Sequence, residues 1–317
     1  MRCSTRGSVV PDPQNPTPGT AKITMPKTTA IAIVARREGA WRMLVRRPLF
    51  WMAAVVLLVV VAFAVAPSPF AWLFGNGDPR ACDLADSAGT ASAGHPFGFD
   101  VQGCDIWANA VYGAQSSLSV GFLATAIALA IALLLGTLAG MGGSIADWII
   151  SRLTEVFLGF PFLLAAIVVL NMLGARNVLT VGLVLGIFGW PMMARLMRGS
   201  VRSVAKADHV LAARTMGLST GRIVGRYVLP NAVQPVLLLA TLTIGAVIVA
   251  ESTLTYLGVG LSSPAISWGL QIAAGSRVFQ ASPHVLVLPS VLLALTVLAV
   301  VAIGEELRGV FDPRERR

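Results

Sequence analysis

Residues 53–66 read AAVVLLVVVAFAVA, a run with no polar side chain on any face. A strand of a membrane barrel alternates apolar and polar residues over about 10 positions, so this run excludes that architecture and reads as a helix in lipid. It lies inside a charge-free interval, residues 48–77, that is 30 residues long. Five more intervals without Asp, Glu, Lys or Arg follow at 106–146, 156–175, 177–194, 227–250 and 278–304, with lengths of 41, 20, 18, 24 and 27. A helix needs about 20 apolar residues to cross about 30 Å of hydrocarbon. Centring helices on these intervals predicts spans near 50–70, 115–141, 156–174, 179–198, 234–257 and 284–304. The longest interval counts once, because two crossings and a turn need more than ~40 residues and its start, IWANAVYGAQSS, is polar. Residues 252–276 contain GVGLSSPAISWG, whose Gly, Pro and Ser mark an interfacial connection and not a seventh helix. The composition agrees: of 317 residues 56% are hydrophobic and 12% charged, with a mean hydropathy of +0.76, beyond the range of soluble cores. The expected fold is an all-α, polytopic transmembrane helical bundle of six spans.

The basic residues orient this bundle, since Lys and Arg concentrate in cytoplasmic loops. With the N-terminus inside, the inner segments hold 21 of the 24 basic residues, and the outer loops hold only Arg80, Arg176 and Arg277. Both termini are therefore expected in the cytoplasm. The net charge of +9 becomes an orientation signal and calls for no nucleic-acid partner. Residues 1–30 are rich in Pro, Thr and Ser and read as a disordered tail. The first apolar run exceeds the 7–15 apolar residues of a signal peptide and is read as a retained helix. An outer loop over 67–110 carries five Asp and the single Arg80.

The inner loop over 199–232 contains KADHVLAARTMGLSTGRIVGRYVLPN, residues 206–231. Asp208 is a candidate N-cap for a short helix through Met216, with Gly217 as its left-handed stop. Ser219 is a candidate cap for a second helix through Leu229, ended by Pro230. Ala213 and Gly217 are four residues apart, with Ala212 beside them, so their expected common face is small enough for another protein to approach the backbone closely.

The spacing Ala212-Ala213, Gly217, Ile223, Leu229, Pro230 resembles the EAA loop of ABC-importer permeases, with Leu211 where that pattern has Glu. Four further segments resemble the C-type subunit of the dipeptide and oligopeptide permeases. They are WRMLVRRPLFWMAAVVLL (41–58), HPFGFDVQGCDIWANAVYGAQSSLSVG (95–121), ESTLTYLGVGLSSPAISWG (251–269) and LRGVFDPR (307–314). Cys104 stands where the second of these has Arg. The resemblance covers residues 41–317 and implies a type I ABC-importer permease fold. It divides the chain into a cytoplasmic tail over 1–40 and a permease domain over 41–317, in the bacterial cytoplasmic membrane. It also implies that the 199–232 loop forms a coupling helix that sits in a groove of an ATPase. The implied partners are a second permease subunit, ABC ATPase subunits or domains, an extracytoplasmic substrate-binding protein and the lipid bilayer. The chain's only lysines, Lys22, Lys27 and Lys206, lie in no phosphate cradle of the G-x-x-x-x-G-K-[ST] type. ATP and Mg are thus expected on the partner ATPases, with no cofactor on this chain, which would be a non-catalytic half of an alternating-access pathway.

No catalytic or metal constellation competes. His95, His209 and His284 are scattered over separate loops, and neither HExxH nor CxxC occurs. An ion-gradient-driven secondary transporter is the alternative, because an intramembrane carboxylate is a functional candidate. Glu155 and Glu251 are the carboxylates in question, and their expected positions near interfaces favour a structural role. Glu251 is carried forward as an outer-end structural or pathway candidate. A channel predicts a filter or charge rings, and neither is present. Cys82 and Cys104 share the outer loop, in the oxidising compartment, and are candidates for a disulfide. Two buried free thiols are the other reading. The solute is left open among dipeptides, oligopeptides, nickel and related cargo.

Overall fold

The computed structural model describes residues 47–311. The expected 1–40 tail, Cys3 and the end of the 307–314 segment lie outside the described residues. Arg47 is extended, and Pro48 and its neighbours then open helix α1 (Pro48–Val65), where the missing proline N–H costs nothing. The order continues with α2 (Pro67–Ala71), α3 (Ile106–Met141), α4 (Gly143–Gly159), α5 (Phe162–Leu173) and α6 (Val178–Val204). Then come α7 (Asp208–Thr215), α8 (Thr220–Ile223), a π-helical turn (Val224–Val228), α9 (Leu229–Ala232), α10 (Gln234–Tyr256), α11 (Trp268–Arg277) and α12 (His284–Phe311). No β-strand longer than an isolated bridge occurs among the described residues.

Five helices, α1, α3, α6, α10 and α12, are long and apolar enough to cross a membrane, and a sixth crossing exists if the bent pair α4–α5 counts as one broken span. The single helix expected at 156–174 is therefore corrected. The two pieces meet at 86°, and α5, with 12 residues, spans only about 18 Å. The cause is local: Phe160 before Pro161 is extended (φ −93°, ψ 136°), as crowding by a following proline ring demands.

Other boundaries shift too: α1 ends at Val65 and not near 70, and α6 and α12 run past 198 and 304 to Val204 and Phe311. Helix α3 starts at Ile106, not near 115, because the Asp105 carboxylate caps it by accepting from the Ala108 N–H at 3.1 Å. In its first turns Asn109 and Ser117 are buried, with Asn109 O accepting from Gln271 of α11 and Ser117 Oγ from the Trp268 N–H, so IWANAVYGAQSS belongs to the helix. The 252–276 connection holds no seventh span, but it does contain α11, capped by Ser267.

The longest packing runs between α3 and α6. A Cβ on Gly136 would lie 2.6 Å from Met197 Cβ, and one on Gly186 would lie 2.8 Å from Ile127 Cβ. With Gly140 against Val201 and Gly182 against Leu123, the two helices exchange a pair of glycines at each end of the contact, and their backbones approach closely. Contacts divide the bundle into two ends. At the basic end Arg47 Nη1 meets Glu306 Oε2 at 2.8 Å, and Asp147 of α4 takes Arg198 and Arg202 of α6 at 2.5 and 2.8 Å. At the other, capped end, the chain between α1 and α3 folds over the starts of α3 and α12, through the Asp105 cap and the contact of Gly89 O with His284.

Candidate functional site

At the basic end, α7 is pinned by Val210 and Ala213, both fully buried. Ile223 and Val228 join the same apolar cluster, with Met197 and Val201 of α6 and Val236 of α10. Helix α7 stops in a Schellman motif, in which Leu218 N–H donates to Ala213 O at 3.3 Å and Gly217 N–H to Arg214 O at 3.0 Å. Gly217 supplies the left-handed residue, with φ +76°, and its Cβ direction is open space. The Ser200 hydroxyl donates to Ala232 O at 2.8 Å and ties the end of the loop to α6.

The loop differs from its sequence reading in three respects. Ala213 does not share an exposed face with Gly217: it points into the bundle, and the open face runs through Ala212 and Met216, with Leu211 beside them. The reason is that Val210 and Ala213, three residues apart, are the apolar stripe by which so short a helix buries itself. Asp208 is the first helical residue and not the cap, which is Ala207; its charge still suits the positive end of the helix. Pro230 does not end the second helix. The π turn before it widens the backbone, and Pro230 falls in the first turn of α9, where no N–H is required. Leu229 is partly buried against the cluster, and Pro230 is exposed.

At the capped end, Glu251 is fully buried in α10. Its Oε1 accepts from Thr255 Oγ1 at 2.9 Å and its Oε2 from Ser252 Oγ at 3.3 Å. The hydroxyls of Ser117 in α3 and Ser267 at the cap of α11 face it as well. Around this node Trp268 N–H donates to Ser117 Oγ at 3.3 Å, Trp268 Nε1 to Ala110 O at 2.8 Å and Leu261 N–H to Thr255 Oγ1 at 3.0 Å. Glu251 thereby fastens α10, α11 and their connection to α3. Its nearest companions, Ser252 and Thr255, were readable as neighbours on one helix; Ser117 and Ser267 carry no sequence signal that links them to it.

Cys82 and Cys104 are joined by a disulfide that closes the outer loop. Beside it, the Asp100 carboxylate accepts the Gln102 and Cys104 N–H groups at 2.8 and 2.9 Å. Burial pushes the Asp100 carboxyl above the usual aspartate range, against the opposing pull of these backbone donors. His95 Nδ1 meets Asp105 Oδ2 at 2.6 Å, and His284 Nε2 meets Gly89 O at 3.1 Å. His209 is exposed on α7. The three histidines thus lie apart, and no group of three or more His, Cys, Asp or Glu among the described residues is placed to hold a metal. Glu155 is exposed and paired with Arg152 at 2.6 Å.

The stretch of chain that carries this loop and its EAA-like spacing matches a known protein family. Its sequence model, described as "Binding-protein-dependent transport system inner membrane component", covers residues 132–317. The chain belongs to this family. The permease is 34% identical over 281 residues to the dipeptide transport system permease protein DppC of Bacillus subtilis (strain 168), covering 88% of this chain and 86% of that one. It is 32% identical over 265 residues to the oligopeptide transport system permease protein OppC of Escherichia coli (strain K12), covering 84% and 87%. Among solved structures, an inward-facing form of the MetNI methionine ABC transporter superposes with a TM-score of 0.54 at 19% identity, over 64% of this permease and 96% of that chain; this likeness concerns the fold. The permease is a multi-pass inner-membrane component of an ABC importer. The ion-gradient alternative falls with that assignment, and Glu251, its best candidate carboxylate, is enclosed by hydroxyl partners.

Proposed function

We propose that this permease is one half of a two-subunit pathway through which an ABC importer moves dipeptides, oligopeptides or related solutes inward by alternating access. Its basic end faces the cytoplasm, which puts both termini there. ATP and Mg are bound by separate ATPase subunits or domains, and this chain performs no hydrolysis. An extracytoplasmic binding protein delivers the solute to the capped end. The observation that carries this reading is the loop α7–α9: one face is locked into the bundle by Val210, Ala213 and Ile223, while Leu211 and Met216, 46% and 70% exposed, are held outward. A fixed apolar face on a basic loop is a surface built for a partner, and a shift of that partner reaches α6 and α10 through the shared cluster.

The test is co-expression with the second permease and the ATPases, comparing Met216→Asp with Thr220→Asp. A charge at Met216 has to be desolvated against the ATPase, so complex recovery and substrate-coupled ATP hydrolysis are expected to fall about tenfold, the effect of only ~1.4 kcal/mol. Thr220→Asp, on an exposed residue in the bend, is expected to leave both within twofold. A fully coupled Met216→Asp transporter rejects the docking assignment, and ion-driven uptake by this chain alone in liposomes rejects the importer reading.

A further inference from the structure

The three arginines of the capped end, Arg80, Arg176 and Arg277, come from three separate stretches of the chain and line a single cavity of about 630 Å³. Arg80 Nη2 donates to Pro264 O at 3.1 Å, and Arg176 Nη1 donates to Gly258 O, so two guanidinium groups are fixed at the rim by backbone carbonyls. Arg277 ends α11 and is exposed. None of the ion pairs among the described residues involves any of the three. Asp100 is the one carboxylate in the lining. It is bonded to its own loop's N–H groups, and burial favours its neutral form. The cavity therefore sets three arginines, none in an ion pair, against one carboxylate, and such a basin attracts negative charge. Its other walls include Tyr256, Leu261, Pro264 and Leu270, an apolar surface beside the cations. Its volume falls within the roughly 300–1,000 Å³ of small-ligand pockets.

We propose that this cavity is a carboxylate-binding site that receives the C-terminal end of a short peptide, with Arg277 as the open guanidinium and Arg80 and Arg176 as fixed neighbours. A carboxylate pairs with guanidinium groups through short, charge-assisted hydrogen bonds, and the peptide's last side chain lies on the apolar wall. The inference rests on the peptide-importer reading above. It assigns to the permease itself a selection for free carboxyl termini.

The experiment uses the complete membrane assembly, both permeases with their ATPases, in nanodiscs and without the binding protein. Radiolabelled alanyl-phenylalanine and its C-terminal amide are titrated by equilibrium dialysis. The free acid is expected to bind at least roughly tenfold more tightly than the amide; Arg277→Gln is expected to abolish that ratio and Arg277→Lys to keep part of it. Equal binding of acid and amide to the wild-type assembly overturns the proposal, as does an unchanged ratio in Arg277→Gln. The same carboxylate chemistry on an acidic side chain of the binding protein makes a different prediction, read by adding that protein to the same nanodiscs in a second series: Arg277→Gln then weakens its capture while the acid-to-amide ratio stays fixed, and that result also overturns the receiving site. Uptake of the same dipeptide by the complete wild-type transporter is measured in parallel. Its absence refutes the peptide reading, whereas uptake together with equal acid and amide binding refutes only the site.

Discussion

At the basic end, α7 to α9 are held mainly by apolar side chains, Val210, Ala213, Ile223 and Val228, with the single Ser200–Ala232 hydrogen bond at the end of the loop. At the capped end, α11 and the connection before it are held by Glu251 and the hydroxyls of Ser117, Ser252, Thr255 and Ser267, with a disulfide closing the loop above. Both devices anchor a short helix that is too short to be stable alone. They differ in what they demand. Apolar packing tolerates small shifts and leaves the opposite face free for a partner, whereas a buried polar network holds only if every member keeps its bond. One end is suited to transmit a movement and the other to preserve a shape.

The strongest challenge to this contrast is Ala213→Asp. A carboxylate placed in the apolar cluster has no partner, so more than ~3 kcal/mol of loop stability is expected to be lost. Limited proteolysis is expected to cut between 206 and 231 while the rest of the bundle stays intact. If the Ala213→Asp loop resisted the protease as the wild-type loop does, the loop would not be packed through this face.

Next in size is the disulfide. Cys82→Ser with Cys104→Ser removes a closure with a sequence separation of 22, worth ~3 kcal/mol in the chain-entropy account. Hydrogen exchange is expected to rise across 78–105 and to stay unchanged in α7. Protection that is equal with and without the bridge would mean that packing alone shapes the cap.

Glu251→Ala strips two hydroxyl donors of their acceptor and is expected to cost about 2–3 kcal/mol. Glu251→Gln retains an acceptor oxygen and is expected to lose less than half of that. Thermal unfolding of the purified assembly ranks the two, and equal losses would contradict a hydrogen-bonding role. The smallest effect belongs to Gly217→Ala. Space is open at its Cβ, so only the left-handed backbone opposes the change, by about 1 kcal/mol. A loss well above that in the melting curve would reveal a contact at this residue that the chain alone does not contain.

Residues before and after the break in the third span show how much a linear reading can hold. Gly159, Phe160 and Pro161 carry the bend in their own chemistry, since proline restricts the residue before it. Centring one helix on residues 156–175 hides that signal. The same holds for Ser267, a serine just ahead of α11 whose capping role is local, although GVGLSSPAISWG otherwise has the look of a loop. Gly217 was readable for the opposite reason: a glycine after a short amphipathic run is a helix stop that needs no tertiary partner.

The five long apolar spans, the all-helical class, the uneven distribution of basic residues and the EAA-like spacing follow from the chain alone, because bilayer thickness, backbone hydrogen bonding and glycine or proline geometry act over a few turns. The rotation of α7 about its axis does not. Whether Ala213 or Ala212 faces inward depends on where α6 and α10 exclude solvent, and a helix of 8 residues with small side chains on both faces leaves that choice to its neighbours. The hydroxyl shell of Glu251 and the meeting of Arg80, Arg176 and Arg277 around one cavity have the same origin. Their members lie in distant parts of the chain, and only packing of the bundle brings them together.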